Sequence, residues 1–216
     1  MKFFIDTANL AQIKEANDLG ILDGVTTNPS LMAKEGVKGQ EAITQHYKTI
    51  CEIVDGDVSA EVVSTDFDGI VAEGKKLAAI HKNIIVKVPM IKEGVKAIKW
   101  FTDNGIATNC TLCFSAGQAI LAAKAGAKYI SPFIGRVDDT GWDGVQLVAQ
   151  IVNIYAIQGF KTQVLAASIR NSNHIVQCAE AGAHVVTSPL ESIVGLLKHP
   201  LTDIGLAKFL EDAKKL

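Results

Sequence analysis

The sequence predicts a closed (β/α)8 barrel, and three observations carry that expectation. Short apolar runs rich in β-branched residues alternate with longer stretches at helical spacing, the pattern of a parallel sheet built from βαβ units. Eight strand candidates can be counted, each followed by a helix candidate. The 216 residues lie near the lower limit of ~200 for such a barrel, so loops must be short and insertions few. An open doubly wound sheet is the alternative, but no G-x-G-x-x-G opens the first unit, which weakens a dinucleotide-binding reading.

Taken in order, the strand candidates are residues 2–6 (KFFID), 24–27 (GVTT), 58–63 (VSAEVV) and 84–90 (IIVKVPM), then 108–113 (TNCTLC), 129–135 (YISPFIG), 164–168 (VLAAS) and 184–188 (HVVTS). Amphipathic stretches at 10–19, 41–54, 67–81, 94–104, 115–125, 145–157, 171–182 and 191–197 supply the helices. Gly20, Gly105, Gly126 and Gly182 each fall just past a periodic segment, where a helix ends most cheaply in the left-handed region. Residues 201–216 follow Pro200 and read as one helix beyond the eight units, placed to cap the barrel or to reach a neighbouring subunit. With no linker or low-complexity tract, residues 1–216 are expected to form one domain with that helix as its tail.

Composition narrows the function classes. Lys and Arg number 21 against 23 Asp and Glu, a net charge of −2, which offers no electrostatic footprint for nucleic acid or an anionic membrane. The hydrophobic share of 48% rules out disorder, and no run approaches the ~18 apolar residues of a membrane span. Asp6 interrupts the first apolar run too early for a secretory leader, and four cysteines are too few for a disulfide scaffold. A cytoplasmic protein is expected.

Strands buried on both faces should be almost continuously apolar, so the polar residues within them are the informative ones. Asp6 ends the first strand, and Thr26, Thr27 and Asn28 end the second. Glu61 lies in the third, Lys87 in the fourth, Asn109 and Thr111 in the fifth. Ser131 and Arg136 bracket the sixth and Ser168 closes the seventh. Several fall toward the carboxyl ends of their strands, where barrel enzymes carry their sites. Lys87 is flanked by apolar residues on both sides. Burial disfavours an ammonium, and a neutral amine is the nucleophile that Schiff-base chemistry with a carbonyl requires. With Asp6 and Glu61 it would make a nucleophile and two proton-transfer groups. Equally, Lys87 could be a structural partner of Glu61 or Asp6, or reach up to the rim. Arg136, Ser168 and Arg170 follow the sixth and seventh strands, where barrels often bind phosphate, although Arg136 could instead pair with Asp138 or Asp139. Cys110 and Cys113 are expected on opposite faces of their strand and so in core packing, and the five histidines have no ligand spacing.

In sequence order, F-I-D-T-A at 4–8, G-V-T-T-N-P-S at 24–30, I-V-K-V-P at 85–89, N-C-T-L at 109–112, S-P-F-I-G-R at 131–136 and L-A-A-S-I-R at 165–170 resemble the transaldolase family, and in particular its short branch that includes fructose-6-phosphate aldolases. These motifs run through most of the chain. The resemblance implies a barrel enzyme of the class I aldolase type, with no metal or organic cofactor and sugar phosphates as substrates. It implies that Lys87 forms the Schiff base, Asp6 takes the C4 hydroxyl proton, and Glu61 shuttles protons through a water held by Thr111. Asn28, Asn109 and Ser131 would then bind the dihydroxyacetone unit, and Arg136, Ser168 and Arg170 the phosphate. Glu61 and Phe133 match transaldolases, whereas the aldolases carry Gln and Tyr at these positions. The implied reaction is transfer of dihydroxyacetone from sedoheptulose 7-phosphate or fructose 6-phosphate to an aldose phosphate, in the pentose phosphate pathway. The alternative is aldol cleavage to free dihydroxyacetone. The branch also implies a homo-oligomer, a pentamer or a decamer.

Overall fold

In the computed structural model, which describes residues 1–216, eight parallel strands close into a barrel in chain order. They are β1 (Lys2–Asp6), β2 (Gly24–Thr26), β3 (Asp57–Glu61), β4 (Ile84–Pro89), β5 (Thr108–Cys113), β6 (Tyr129–Pro132), β7 (Gln163–Ala166) and β8 (Val185–Ser188). β1 pairs with both β2 and β8, so no edge strand remains. Around it run α1 (Leu10–Asp18), α2 (Pro29–Lys34), α3 (Gln40–Ile53), α4 (Phe67–Ala78), α5 (Lys92–Asp103) and α6 (Ala116–Ala125), then α7 (Ile134–Asp138), α8 (Gly144–Gln158), α9 (Ser172–Glu180), α10 (Leu190–Gly195) and α11 (Pro200–Ala213). No helix is long and apolar enough to cross a membrane.

Two short helices, α2 and α7, lie where the sequence reading has none. α2 starts at Asn28, whose side chain accepts the Leu31 amide, with Pro29 at the first helical position. β6 stops at Pro132, which cannot donate to a ladder, so the end of the expected 129–135 strand becomes α7. β3 likewise ends at Glu61 rather than 63, because the amides of Val63 and Ser64 donate to the Glu73 carboxylate and not to the sheet.

Period-2 alternation sorts the strand residues into two layers. Outward positions such as Ile5, Val25, Val58, Val86, Ile130, Val164 and Val186 pack against the helices as the main core. Inward positions low in the barrel form a smaller apolar plug of Phe4, Ile85, Tyr129, Leu165 and Val185, with Phe4 and Tyr129 edge to face at 5.9 Å. A Cβ on Gly24 would stand 2.6 Å from the Phe4 ring, so glycine is what lets this plug close. The next inward layer, nearer the strands' carboxyl ends, is polar, and it forms the floor of the site.

β5 departs from the alternation and corrects one expectation. Leu112 has φ 60°, and the β5–β6 register shifts between Cys110 and Cys113. This bulge turns Cys113 to the same outer layer as Cys110 instead of the opposite face, and both thiols are buried among apolar residues. The core-packing reading of the pair stands. α11 differs from all the other long helices in burying no residue.

Candidate active site

Lys87 is 5% exposed and projects into the barrel above the apolar plug. A buried ammonium is costly unless it is paired. Here Nζ lies 2.9 Å from Glu61 Oε2, its register partner on β3, and donates to the carbonyl oxygen of Thr27 at 3.0 Å. Thr27 is itself pinned: its hydroxyl donates to the Ser59 carbonyl at 3.0 Å and lies 2.9 Å from Tyr47 Oη. The structural partner that the sequence left open is therefore Glu61. Asp6 stands apart on β1, where its Oδ1 accepts from Thr26 Oγ1 at 2.7 Å. Thr26 Oγ1 is also 2.7 Å from Thr187 Oγ1. A hydroxyl has one hydrogen, so Thr26 gives its own to Asp6 and accepts that of Thr187.

Asp6, Asn28, Lys87, Ser131, Phe133, Arg136 and Ser168 surround one polar cavity of about 110 Å³ over the strand ends. Asn28 Oδ1 is committed to the α2 cap, so its amide hydrogens are what it offers the cavity. Asn109 and Thr111 lie outside the cavity lining. Asn109 donates to Ser59 Oγ at 3.1 Å and accepts from Ser131 Oγ at 2.8 Å, so it supports Ser131 from below. Thr111 Oγ1 is buried without any partner, an orphan that a bound water or ligand would satisfy. Thr26, Thr187 and Ala167 complete the lining; Thr26 stands out in the sequence as a polar strand end without an assigned role, and Thr187 and Ala167 do not stand out. Threonine is common in strands, and only the alternation of β8 would have pointed Thr187 inward.

At the far end of the cavity, Ser168 holds a left-handed backbone at φ 58°. The amide of Gly135 donates to its carbonyl at 3.0 Å. A Cβ on Gly135 would sit 2.5 Å from that carbonyl oxygen, so the approach of α7 to the β7 loop requires glycine. The Arg136 guanidinium stands 5.0 Å from the Phe133 ring centroid and enters no salt bridge. The two aspartates suggested as its partners are taken elsewhere. Asp138 accepts the Gly144 amide and faces His174, and Asp139 is paired with Arg170. Arg170 is outside the cavity lining at the rim, held by both its terminal nitrogens on Asp139. The Arg170 hydrogen bonds hold the Asp139 carboxyl below the usual carboxylate range. One arginine thus faces the cavity unpaired, and a second waits beside it on an exposed carboxylate. The arrangement offers a primary amine and two carboxylates at one end and a cation with a hydroxyl at the other.

The family described as Transaldolase/Fructose-6-phosphate aldolase matches residues 3–216. The chain belongs to that family. Among relatives named probable transaldolase, the protein of Phocaeicola vulgatus is 68% identical over 216 residues, covering 100% of this chain and 99% of its own. Those of Cytophaga hutchinsonii and Porphyromonas gingivalis are 66% and 64% identical over the same length. Among solved structures, 3-hexulose-6-phosphate synthase from Salmonella typhimurium superposes with a TM-score of 0.64 at 16% identity, covering 90% of each chain. At that identity the likeness is one of fold.

Proposed function

We propose that the protein is a class I transaldolase, with Lys87 as the Schiff-base residue. The observation that carries this reading is a nearly buried lysine, 2.9 Å from a carboxylate, facing a polar cavity with a second carboxylate on its wall. An amine must lose its proton before it attacks, and Glu61 is placed to receive it. Lys87 then adds to C2 of fructose 6-phosphate or sedoheptulose 7-phosphate, and loss of water leaves a protonated imine. Asp6, oriented by Thr26, takes the proton of the C4 hydroxyl as the C3–C4 bond breaks. The imine is the electron sink that delocalises the carbanion left on the three-carbon fragment, and the chemistry needs no other. Asn28 and Ser131 offer hydrogen bonds to the dihydroxyacetone unit, while Arg136 and Ser168 suit the phosphate, with Arg170 in reserve.

Transfer is favoured over release by Phe133, whose ring lines the cavity where a tyrosine would present a hydroxyl. With no phenolic proton at that point, the enamine persists until an aldose phosphate arrives. Borohydride added with fructose 6-phosphate should trap a dihydroxyacetone adduct on Lys87, read by peptide mass. A Lys87→Ala variant that still carries the adduct would refute the assignment.

A further inference from the structure

Glu61 stands between two spaces. Its Oε2 meets Lys87, which faces the 110 Å³ cavity, yet Glu61 itself is absent from that cavity's wall. It lines instead a second chamber of about 350 Å³, walled by residues of α2, α3 and α4 and by Val63 just beyond the end of β3. Tyr47 lines the same chamber, and its hydroxyl touches Thr27, whose carbonyl is the other partner of Lys87. Two residues of the chamber therefore reach toward the lysine by separate routes. Burial pushes the Tyr47 phenol up, so it stays a protonated, hydrogen-bonding group at neutral pH. Gln40, Glu73 and Lys76 add further polar wall.

We propose that this chamber is the water port of the Schiff-base step, supplying and removing the water that the imine consumes and releases. The inference rests on the function proposed above. The neutral amine nitrogen bonds to C2, the carbonyl oxygen takes up two protons, one from that nitrogen and one held by Glu61, and the C2–O bond breaks to release water and leave the protonated imine. That water is formed beside Lys87, while a ketose phosphate reaching from Lys87 to Arg136 fills the small cavity. One water claims about 30 Å³ in the liquid, and the chamber holds roughly ten such volumes, with Gln40, Glu61, Glu73 and Lys76 set among mostly apolar residues. Glu61 pairs with Lys87 and also lines the chamber, which makes it the gate between the two. The same path returns water for imine hydrolysis without disturbing the bound sugar.

The test uses fructose 6-phosphate labelled with oxygen-18 at C2, because each imine formed and hydrolysed with bulk water exchanges that oxygen. Ala33→Phe and Val37→Phe each add a ring to the chamber's lining, and neither residue belongs to the proposed catalytic set. We expect both variants to keep the amount of borohydride-trapped adduct while losing label several-fold more slowly per imine formed, since the trapped water re-adds. A ratio of exchange to trapping equal to that of the unmodified protein, in either folded variant, overturns the water port and leaves the proposed function standing. No adduct in the unmodified protein overturns both.

Discussion

Phe133 lines the cavity with a bare ring, edge on to Phe114 at 5.6 Å and under the Arg136 guanidinium. Phe133→Tyr would place a proton donor beside the enamine, and we expect it to raise consumption of fructose 6-phosphate without acceptor, followed by coupled assay of free dihydroxyacetone. Acceptor-free consumption at the unmodified level would remove this residue from the choice between transfer and release. Asp139 bears on the other end of the substrate. Its pair with Arg170 is solvent-exposed and so weak enough to exchange for a phosphate. Asp139→Asn should therefore lower the Ki of inorganic phosphate and the KM for sugar phosphate with kcat little changed. A rise in both would mean that Asp139 positions Arg170 instead of competing for it. Lys87, Asp6 and Ser131 could be read from the sequence because a polar side chain inside an apolar run is conspicuous. Thr26 stood out in the same way, but its role in orienting Asp6 did not, and Thr187 was not legible at all, since both depend on a hydrogen-bond chain between strands far apart in sequence.

The seam between β7 and β8 carries a pH dependence. His184 accepts the Val164 amide at Nδ1 at 3.1 Å, and burial, assisted by the N-terminal ammonium, pushes its pKa below the ordinary value near 6.5. The folded state thus prefers the neutral ring. Above the unfolded pKa both states are neutral and the full stability is present. As pH falls below about 6.5 the unfolded chain takes up the proton first, so stability declines until the folded pKa is passed. Urea midpoints measured from pH 7.5 down to 5 should fall more for the unmodified protein than for His184→Gln, and parallel curves would discard this source. Most elements were legible because each long helix has an apolar face and each strand a run. α2 and α7 were not: α2 follows directly on the run read as the second strand, and α7 begins inside the run 129–135 read as the sixth. The common facing of Cys110 and Cys113 was also hidden, because it turns on one left-handed residue that alternation cannot foresee.

At the scale of the whole molecule α11 is the anomaly. Leu201, Ile204, Phe209 and Leu210 are all well over half exposed, although the helix contains enough apolar surface to bury. Removing residues 200–216 tests the homo-oligomer that the family resemblance implies: it should leave the unfolding of the barrel unchanged and lower the mass on light scattering. An unchanged mass would deny the helix that role. The barrel itself closes through the pairing of Lys2 to Ile5 with Val185 to Ser188. During synthesis, that seam is unavailable until the last strand has left the ribosome. Every shorter nascent chain exposes the open ladder of β1, a template for wrong pairing with another chain. The fold without edges at completion is thus one that carries an open edge for nearly all of its translation, and its closure waits on a single non-local step.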